Sequence, residues 1–514
     1  MKAKYIITAI AFASMTTSCE DWFSTPPESE MVRDDFWKKK SDVEGAVGAC
    51  YRTLADQAVI KRLLAWGELR SDNVLDGRNR DDNVYKILTA NITPTNEYTR
   101  WNQFYACINQ CNTLIAEAPG VQTSDPDYST TELNAHLAEA KAIRAFCYFT
   151  LVRAFKDVPY VTQPYVDDSR PFTQSQTSGD EILAAELAIL NDIDTQAPQL
   201  WTGNLPYTRG RITRKAVWTL QADIALWLNR YDDCIEACDK VLSTASNPLS
   251  LERASTYFRN VFGVGNSSES IWELQLDQNN ENAAVRDFYG ANGTDACLSS
   301  YNFSGVGGSG DLFLAQRDLR RMNAFVSAGA YYAIKKYTAL RTNLTNADGR
   351  EADFQWGDTH CNWILYRLPD VCLMKAEALA ELGGSDNLQE AVRLCGLTYD
   401  RANPDLEPGS LVANTASQEE VRNLVLAERQ REFLFEGKRY FDLMRRMRRD
   451  GTPTQVLETY LRKRYEEIVS MWADVRPKLN DVDAIYMPIN DDELRANTLL
   501  RQNRFYETST DITR

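Results

Sequence analysis

Histidine is almost missing from this sequence, with 2 copies, His136 and His360, among 514 residues. Serine triads and zinc sites draw on histidine for their base or their ligands, so the sequence leaves little material for either. His136 falls in a predicted helix without a second histidine at metal-binding spacing, and we expect it to have a surface or capping role. Asp277, Asn279 and Glu281 lack the glycine and terminal glutamate of a calcium loop. The sequence therefore predicts no catalytic residue, no cofactor and no metal.

Positive charge and long apolar runs are lacking as well. Lysine and arginine number 57 against 72 acidic residues, which gives a net charge of −15. Nucleic acid is a poor ligand for such a chain, because phosphate binding needs a concentrated basic face. Beyond the N-terminal region no stretch approaches the roughly 20 apolar residues of a transmembrane helix. Hydrophobic residues still make up 44% of the chain, so we expect a large core.

The N-terminal region predicts export and lipidation. Lys2 and Lys4 precede an uncharged apolar run at residues 5–15, which is the pattern of a secretory signal. Small residues then lead directly into Cys19, as in lipoprotein processing, where two or three acyl chains give stable anchoring. We predict a signal peptide at residues 1–18 and a lipidated tether at residues 19–30. Ordinary cleavage that releases a soluble secreted protein is the alternative.

Two segments have the pattern of paired helices. Residues 216–242 contain an apolar stripe with small alanines, a turn at residues 229–233 and a second stripe, and residues 373–394 repeat this order with Gly383 and Gly384 at the turn. Residues 133–155 are predicted to form one long helix that follows another at residues 101–118. Small residues let helices pack closely, and glycine ends them. The pattern predicts a mainly α fold of tetratricopeptide-like helical repeats, with an unrelated helical bundle as the alternative.

The region between the repeats has a different composition. Residues 249–358 are rich in glycine, asparagine, serine and tyrosine, with one strand-like run at residues 270–276, and residues 71–96 form a polar loop. Long irregular segments in compact domains are usually functional. We predict a single domain at residues 31–514, with repeats at about 31–248 and 360–445 and a loop-rich insertion at about 249–358.

Five segments resemble the SusD/RagB family of nutrient-binding outer-membrane lipoproteins. They are RAFCYFTLVRAFKDVPY at 144–160, GRITRKA at 210–216, YRLPDV at 366–371, ERQREF with EGKRYFDL at 428–443, and MPI at 487–489. These motifs come in the expected order and span nearly the whole mature chain. Glu20 and Asp21, directly after Cys19, also resemble the signal that sends such lipoproteins to the outer face.

The resemblance implies a SusD-like α/α superhelix and a function without catalysis. Such a protein captures an oligosaccharide at the cell surface and passes it to a SusC-like TonB-dependent transporter, while its lipid anchor holds it to the outer membrane. A peptide or another nutrient, as in the RagB branch, is the alternative ligand. A lipid-anchored glycosidase is a further alternative.

The hallmark motifs themselves are predicted to be structural. Alternating charges around Glu428, at steps of three and four, suit intrahelical ion pairs in a single packed helix. Arg144 and Arg153 receive the same interpretation. Tryptophans in patterned segments are predicted to be core residues, namely Trp101, Trp218, Trp227 and Trp272.

Ligand contacts are expected from the polar loop and the insertion. Sugars bind with their apolar faces on aromatic rings and with their hydroxyls bonded to Asp, Asn and Arg side chains. The loop supplies polar groups, including Asp76, and the insertion supplies tyrosines, including Tyr331 and Tyr332. The ligand-binding residues that we predict are Asp72, Asn73, Arg78, Tyr289 and Tyr301.

Overall fold

The computed structural model describes residues 36–166, 171–203, 205–290, 295–303, 305, 311–338, 360–469 and 472–507. The predicted signal peptide, the tether and Cys19 lie outside these residues. The described residues form 18 α-helices and 8 short strands. Among them, no helix combines the length and the hydrophobicity needed to cross a bilayer.

The helices are α1 (Lys40–Leu54), α2 (Gln57–Glu68), α3 (Asp82–Leu88), α4 (Asn102–Ser124), α5 (Thr130–Phe155), α6 (Gly179–Ile193), α7 (Leu205–Gly210), α8 (Arg214–Trp227), α9 (Tyr231–Ser243), α10 (Leu319–Ala324), α11 (Leu368–Leu382), α12 (Ser385–Ala402), α13 (Gln418–Phe433), α14 (Arg439–Asp450), α15 (Thr454–Val456), α16 (Arg462–Val469), α17 (Trp472–Leu479) and α18 (Asp491–Ala496). The strands are β1 (Val74–Asp76), β2 (Val158–Pro159), β3 (Gln176–Thr177), β4 (Ser270–Leu274), β5 (Leu298–Ser300), β6 (Phe325–Ala328), β7 (Tyr331–Ile334) and β8 (Trp363–Arg367).

The predicted helix pairs are present, which confirms the mainly α fold. Helices α8 and α9 pack against each other across a turn at Asn229, whose φ is +58°. Helices α11 and α12 do the same across Gly383 and Gly384, with φ values of +71° and +88°. Glycine adopts this left-handed region without strain, so it ends α11 sharply. Helix α9 also packs on α11, and the two pairs are therefore neighbours although the insertion separates them in sequence.

Helix α5 lies at the centre of the larger core. Ser129 and Glu132 form a capping box at its start, which satisfies backbone donors that a helix leaves unpaired. From Ala138 to Phe155 it is buried on nearly every side. The four tryptophans predicted as core residues are all buried, and so are the ten cysteines after Cys19.

His136 is a correction to the sequence prediction. It is buried rather than a surface or capping residue. Its ring nitrogen lies 2.9 Å from the hydroxyl of Tyr128, and its ring stacks on Trp201. Burial, with the charge of Arg211 nearby, lowers the pKa of His136 to about 4. The histidine is therefore a neutral packing residue at physiological pH.

The strands form four antiparallel pairs, β1–β5, β2–β3, β4–β8 and β6–β7. The pair β1–β5 joins the polar loop to the insertion, and β4–β8 joins the insertion to the start of α11. The described part of the insertion is thus more regular than predicted, and the loop at residues 71–96 contains β1 and α3. The domain boundaries stay a prediction.

Buried ion pairs connect these elements, and we call the group around Glu432 the Glu432 network. Glu432 accepts hydrogen bonds from Arg367 at 2.6 Å, from Arg320 at 3.3 Å and from Arg401. Arg367 also donates to Glu436 at 2.7 Å. These side chains are nearly inaccessible to solvent. The other members of the network are Glu269, Asp318, Lys336 and Glu428.

The network corrects the predicted helix around Glu428. Helix α13 ends at Phe433 and α14 begins at Arg439, so the motif spans two helices. Intrahelical pairs do occur, as between Arg431 and Glu428 at 2.8 Å, but Glu432 pairs with arginines from other elements. The predicted structural role of Arg144 is confirmed, because it pairs with buried Glu186 at 3.2 Å.

We predict that Glu432→Gln destabilises the protein by about 3–5 kcal/mol, because it removes the negative charge that three buried guanidinium groups share. Urea unfolding at pH 7 measures this change. Glu420→Gln, at an exposed position of the same helix, is the matched control and should change stability by less than about 0.5 kcal/mol.

The same variant should alter the acid sensitivity. Burial alone would raise the pKa of Glu432, but Arg401, Arg367 and Arg320 outweigh it and hold the pKa well below its usual range. Stability from such a carboxylate is present above its unfolded pKa of about 4.3 and is lost as the pH falls. The wild type should therefore lose more stability than Glu432→Gln between about pH 4.3 and pH 2. Parallel pH–stability curves would contradict this account.

A strained turn ends α5. The amide of Asp157 donates to the carbonyl of Phe155 at 3.0 Å, and Lys156 between them has φ +71° and ψ −80°. These values describe a classic γ-turn, which is strained for a residue with a side chain. A Cβ on Gly179 would lie 2.2 Å from the Lys156 carbonyl oxygen, so the turn is held tightly against α6.

We predict that Lys156→Gly stabilises the protein by about 1 kcal/mol, because glycine adopts this conformation without strain. The lost ion pair with Asp483 is half exposed on the lysine side and contributes little. Urea unfolding of Lys156→Ala is the control, because alanine removes the ion pair and keeps the strain. If Lys156→Gly is no more stable than Lys156→Ala, the backbone at this position is not strained.

Candidate ligand-binding face

The polar loop and the insertion meet at the β1–β5 pair. Val74 lies opposite Ser300, and backbone hydrogen bonds extend the pairing, from Gly77 to Cys297 at 2.9 Å and from Tyr301 to Asn73 at 2.7 Å. A Cβ on Gly77 would lie 2.5 Å from the carbonyl oxygen of Ala296. Glycine is thus required where the two segments approach, and the structure brings both predicted sources of ligand contacts together.

A cavity of about 470 Å³ opens beside this junction, and we call it the insertion cavity. Strands β1 and β5, the start of β7 and the end of α16 surround it. Its volume is in the range of small-molecule sites, roughly 300–1,000 Å³. The residues that line it are Leu75, Asp76, Arg80, Tyr85, Ser299, Ser300, Asn302, Ala330, Tyr331, Tyr332, Glu467 and Ile468.

An ion pair forms the polar wall of the insertion cavity. Arg80 lies 2.8 Å from Asp76 and stacks on Tyr85, with the guanidinium carbon 3.8 Å from the ring centre. The Oδ1 atom of Asp76 is buried and has no hydrogen-bond partner within the described ranges, whereas Oδ2 holds Arg80 in place. Burial raises the pKa of the Glu467 carboxyl on the same cavity. The wall therefore offers several oriented donors and acceptors.

Tyrosines form the apolar part of the face. The Tyr331 ring is 38% exposed, which leaves room for a flat partner. Arg78 fixes the hairpin beside it by donating to the carbonyl of Ala328 at 2.9 Å, and its guanidinium lies 5.6 Å from the Tyr331 ring centre. Tyr332 packs on Phe325. An aromatic ring beside hydrogen-bonding groups is the chemistry that binds sugars.

Three of the five predicted ligand residues lie in the core instead. Asp72 is 9% exposed and accepts two hydrogen bonds from Arg439, at 2.7 and 2.9 Å. Asn73 is buried and donates to Glu68 at 2.6 Å, and buried Tyr289 donates to the carbonyl of Phe435 at 2.7 Å. Their polar groups form hydrogen bonds with other residues of the protein, so we assign these three residues a structural role.

The other two predicted residues lie near the cavity. Arg78 does not line the cavity but contacts Tyr331, which does. Tyr301 packs on Phe303 and does not line the cavity. Sequence reasoning missed Arg80 and Glu467. The spacing of Asp76 and Arg80, four residues apart, was a usable signal for their pairing, whereas Glu467 comes from a distant helix and carried none.

The rejected calcium loop is a local turn. Asp277 Oδ1 accepts from the amides of Asn279 at 2.8 Å and Asn280 at 3.0 Å. Over the ranges that the structure describes, no group of three His, Cys, Asp or Glu side chains is arranged to hold a metal ion.

Comparison with known proteins identifies the family. Residues 310–506 match the model described as "SusD family", and residues 42–222 match the one described as "Starch-binding associating with outer membrane". The chain belongs to the SusD family. The resemblance of its motifs is therefore confirmed.

Relatives of this SusD family member are similar over most of their length. SusD-like protein P38 of Formosa agariphila is 26% identical, over 83% of this chain and 88% of its own. SusD-like protein P2 of the same organism is 25% identical, over 86% and 90%. A SusD superfamily structure from Bacteroides vulgatus has a TM-score of 0.70 at 21% identity and covers 91% of this chain and 100% of its own. That structural likeness supports the fold.

Proposed function

We propose that this SusD family member is a cell-surface glycan-binding lipoprotein. It captures an oligosaccharide and delivers it to a SusC-like TonB-dependent transporter for import. The observation that carries the ligand class is the insertion cavity, where the exposed Tyr331 ring lies beside the Asp76–Arg80 pair. Family membership and the family-model description support the role in nutrient uptake at the outer membrane.

Binding in the insertion cavity needs no chemical step. The apolar face of a sugar ring packs on Tyr331, and its hydroxyls bond to Asp76, Arg80 and Asn302. Arg80 is already held by Asp76 and Tyr85, so a ligand orders few side chains and binding loses little entropy. Release follows from competition with the transporter and from movement of the protein as a lid over the barrel.

Two other functions stay open. A peptide or another nutrient would use the same lid role, and a neighbouring peptidase gene would favour it over a glycan. A lipid-anchored glycosidase would require turnover of a glycan by the purified protein. A transporter gene next to this one supports either binding function over the enzyme.

We predict that Tyr331→Ala lowers the affinity for the bound glycan about tenfold, or about 1.4 kcal/mol, because the ring platform is lost. Isothermal calorimetry against a panel of glycans and peptides measures the change. Phe172→Ala removes a ring that is 60% exposed and does not line the insertion cavity, so it is the matched control. If the protein binds peptides and no glycan, the proposed ligand class is wrong. If Tyr331→Ala binds the glycan as tightly as the wild type, the insertion cavity is not the binding site.

The proposed anchor gives a separate prediction. Cys19→Ala removes the thiol that accepts the lipid, so the protein should move from the membrane fraction to the soluble fraction. Immunoblots of fractionated cells measure this, with the Cys50→Ala variant as the control, because Cys50 is buried in the core. Membrane association that persists in Cys19→Ala would refute the anchor.

A further inference from the structure

A second and larger cavity lies between helices α1 and α7 and the end of β4. It encloses about 730 Å³, and we call it the α1 cavity. Positions 44, 47, 48, 51 and 52 of α1, followed by Ala55 just after its end, line one side of it, which is the spacing of a single helix face. The α1 cavity shares no lining residue with the insertion cavity.

The floor of the α1 cavity is rigid and electrically neutral. Arg211 makes two hydrogen bonds to buried Glu139, at 2.9 and 2.5 Å. The hydroxyl of Tyr51 donates to Glu139 at 2.5 Å and accepts from the amide of Ile212 at 2.7 Å. Because the carboxylate cancels the charge of Arg211, the floor does not attract anions.

The ring of Tyr207, which lines the α1 cavity, contacts the guanidinium of Arg211, and Arg211 is itself stacked on Trp201. The Arg211 guanidinium lies 3.5 Å from the Trp201 ring centre and 5.0 Å from that of Tyr207. Trp201 in turn stacks on buried His136. Tyr207 is nevertheless 51% exposed. Tyr207 therefore contacts Arg211 while about half of its surface stays accessible.

Polar groups stand around this ring. Arg52 is exposed and has no hydrogen-bond or ion-pair partner in the part of the chain that the structure describes. Asp277 is exposed and uses Oδ1 to cap its own turn, so Oδ2 can accept a hydrogen bond from a ligand. Because Glu139 already balances Arg211, the other charged side chains that line the cavity are two acidic ones, Glu44 and Asp277, and one basic one, Arg52. Such a site disfavours phosphate, sulfate and carboxylate ligands.

We infer that the α1 cavity is a second binding site, for a neutral oligosaccharide segment. Tyr207 stacks on the apolar face of a sugar ring, while Arg52 and Asp277 bond to hydroxyls at its edge. The inference rests on the proposed glycan-binding function and adds a second point of contact. Two sites on one protein raise the overall affinity for a long glycan above that of either alone.

The test uses the full mature chain and the Tyr207→Ala, Tyr331→Ala and double variants. The probes are neutral gluco-, xylo- and manno-hexasaccharides, titrated by calorimetry, and the matching polysaccharides in affinity gels. We expect Tyr331→Ala to retain weak glycan binding that the double variant loses. Tyr207→Ala alone should weaken polysaccharide binding about tenfold. A crystal soaked with the bound hexasaccharide should show a sugar on Tyr207.

Controls separate this inference from the proposed function. Tyr207→Phe keeps the ring and should bind like the wild type, and melting curves show whether each variant is folded. If Tyr331→Ala abolishes all glycan binding and Tyr207→Ala binds normally, the second site is wrong and the proposed function stands. If no hexasaccharide or polysaccharide binds the wild type, both fail. Binding of a peptide or an anionic glycan at Tyr207 would refute the inference that this cavity binds a neutral oligosaccharide.

Discussion

The carboxylate of Glu432 holds three guanidinium groups in the interior of the protein. Buried charges are tolerated only when each is paired and hydrogen-bonded, so this residue fixes the positions of Arg320, Arg367 and Arg401 together. Those arginines come from α10, from the end of β8 and from α12. The requirement to satisfy one carboxylate therefore joins the insertion to β8, α12 and α13, which follow it in the sequence. Loss of any partner leaves a charge that water cannot reach.

The binding face depends on this interior through shorter connections. Asp72 ties the start of the polar loop to Arg439 of α14, and Glu68 accepts from Asn73 and from the amide of Gly437. Burial raises the pKa of Glu68 to about 7. The loop thus leaves the core from a fixed point, and its residues reach the insertion cavity only from Leu75 onward. Its ligand groups are positioned by packing that lies beneath them.

Local patterns predicted much of the fold. The stripes of α8 and α9 and the glycines at 383 and 384 lie within a few residues of the turns they specify, so the helix pairs could be read directly. Ion pairs between residues far apart in the sequence could not be predicted in this way. Glu432 meets Arg367 across 65 residues and Arg320 across 112, and its sequence spacing favoured partners within its own helix instead.

The same limit applies to the candidate site. Asn73 and Arg78 are both polar residues of one loop, and Tyr289 and Tyr331 are both tyrosines of one insertion. Contacts that the local sequence does not reveal decide which of them are buried, such as the hydrogen bond from Tyr289 to the carbonyl of Phe435, 146 residues away. The sequence therefore predicted the two segments that form the candidate face, but not the individual residues that line its cavity.

The ion pair between Asp72 and Arg439 has an evolutionary consequence. It lies before β1, whereas groups that line the insertion cavity lie within that strand or after it, at positions 76, 80 and 85 and on the β6–β7 hairpin. Substitutions at those outer positions leave the buried charges intact and so change stability little. Descendants of this chain are free to vary the lining of the insertion cavity by nearly neutral steps, while selection on the interior keeps the scaffold the same.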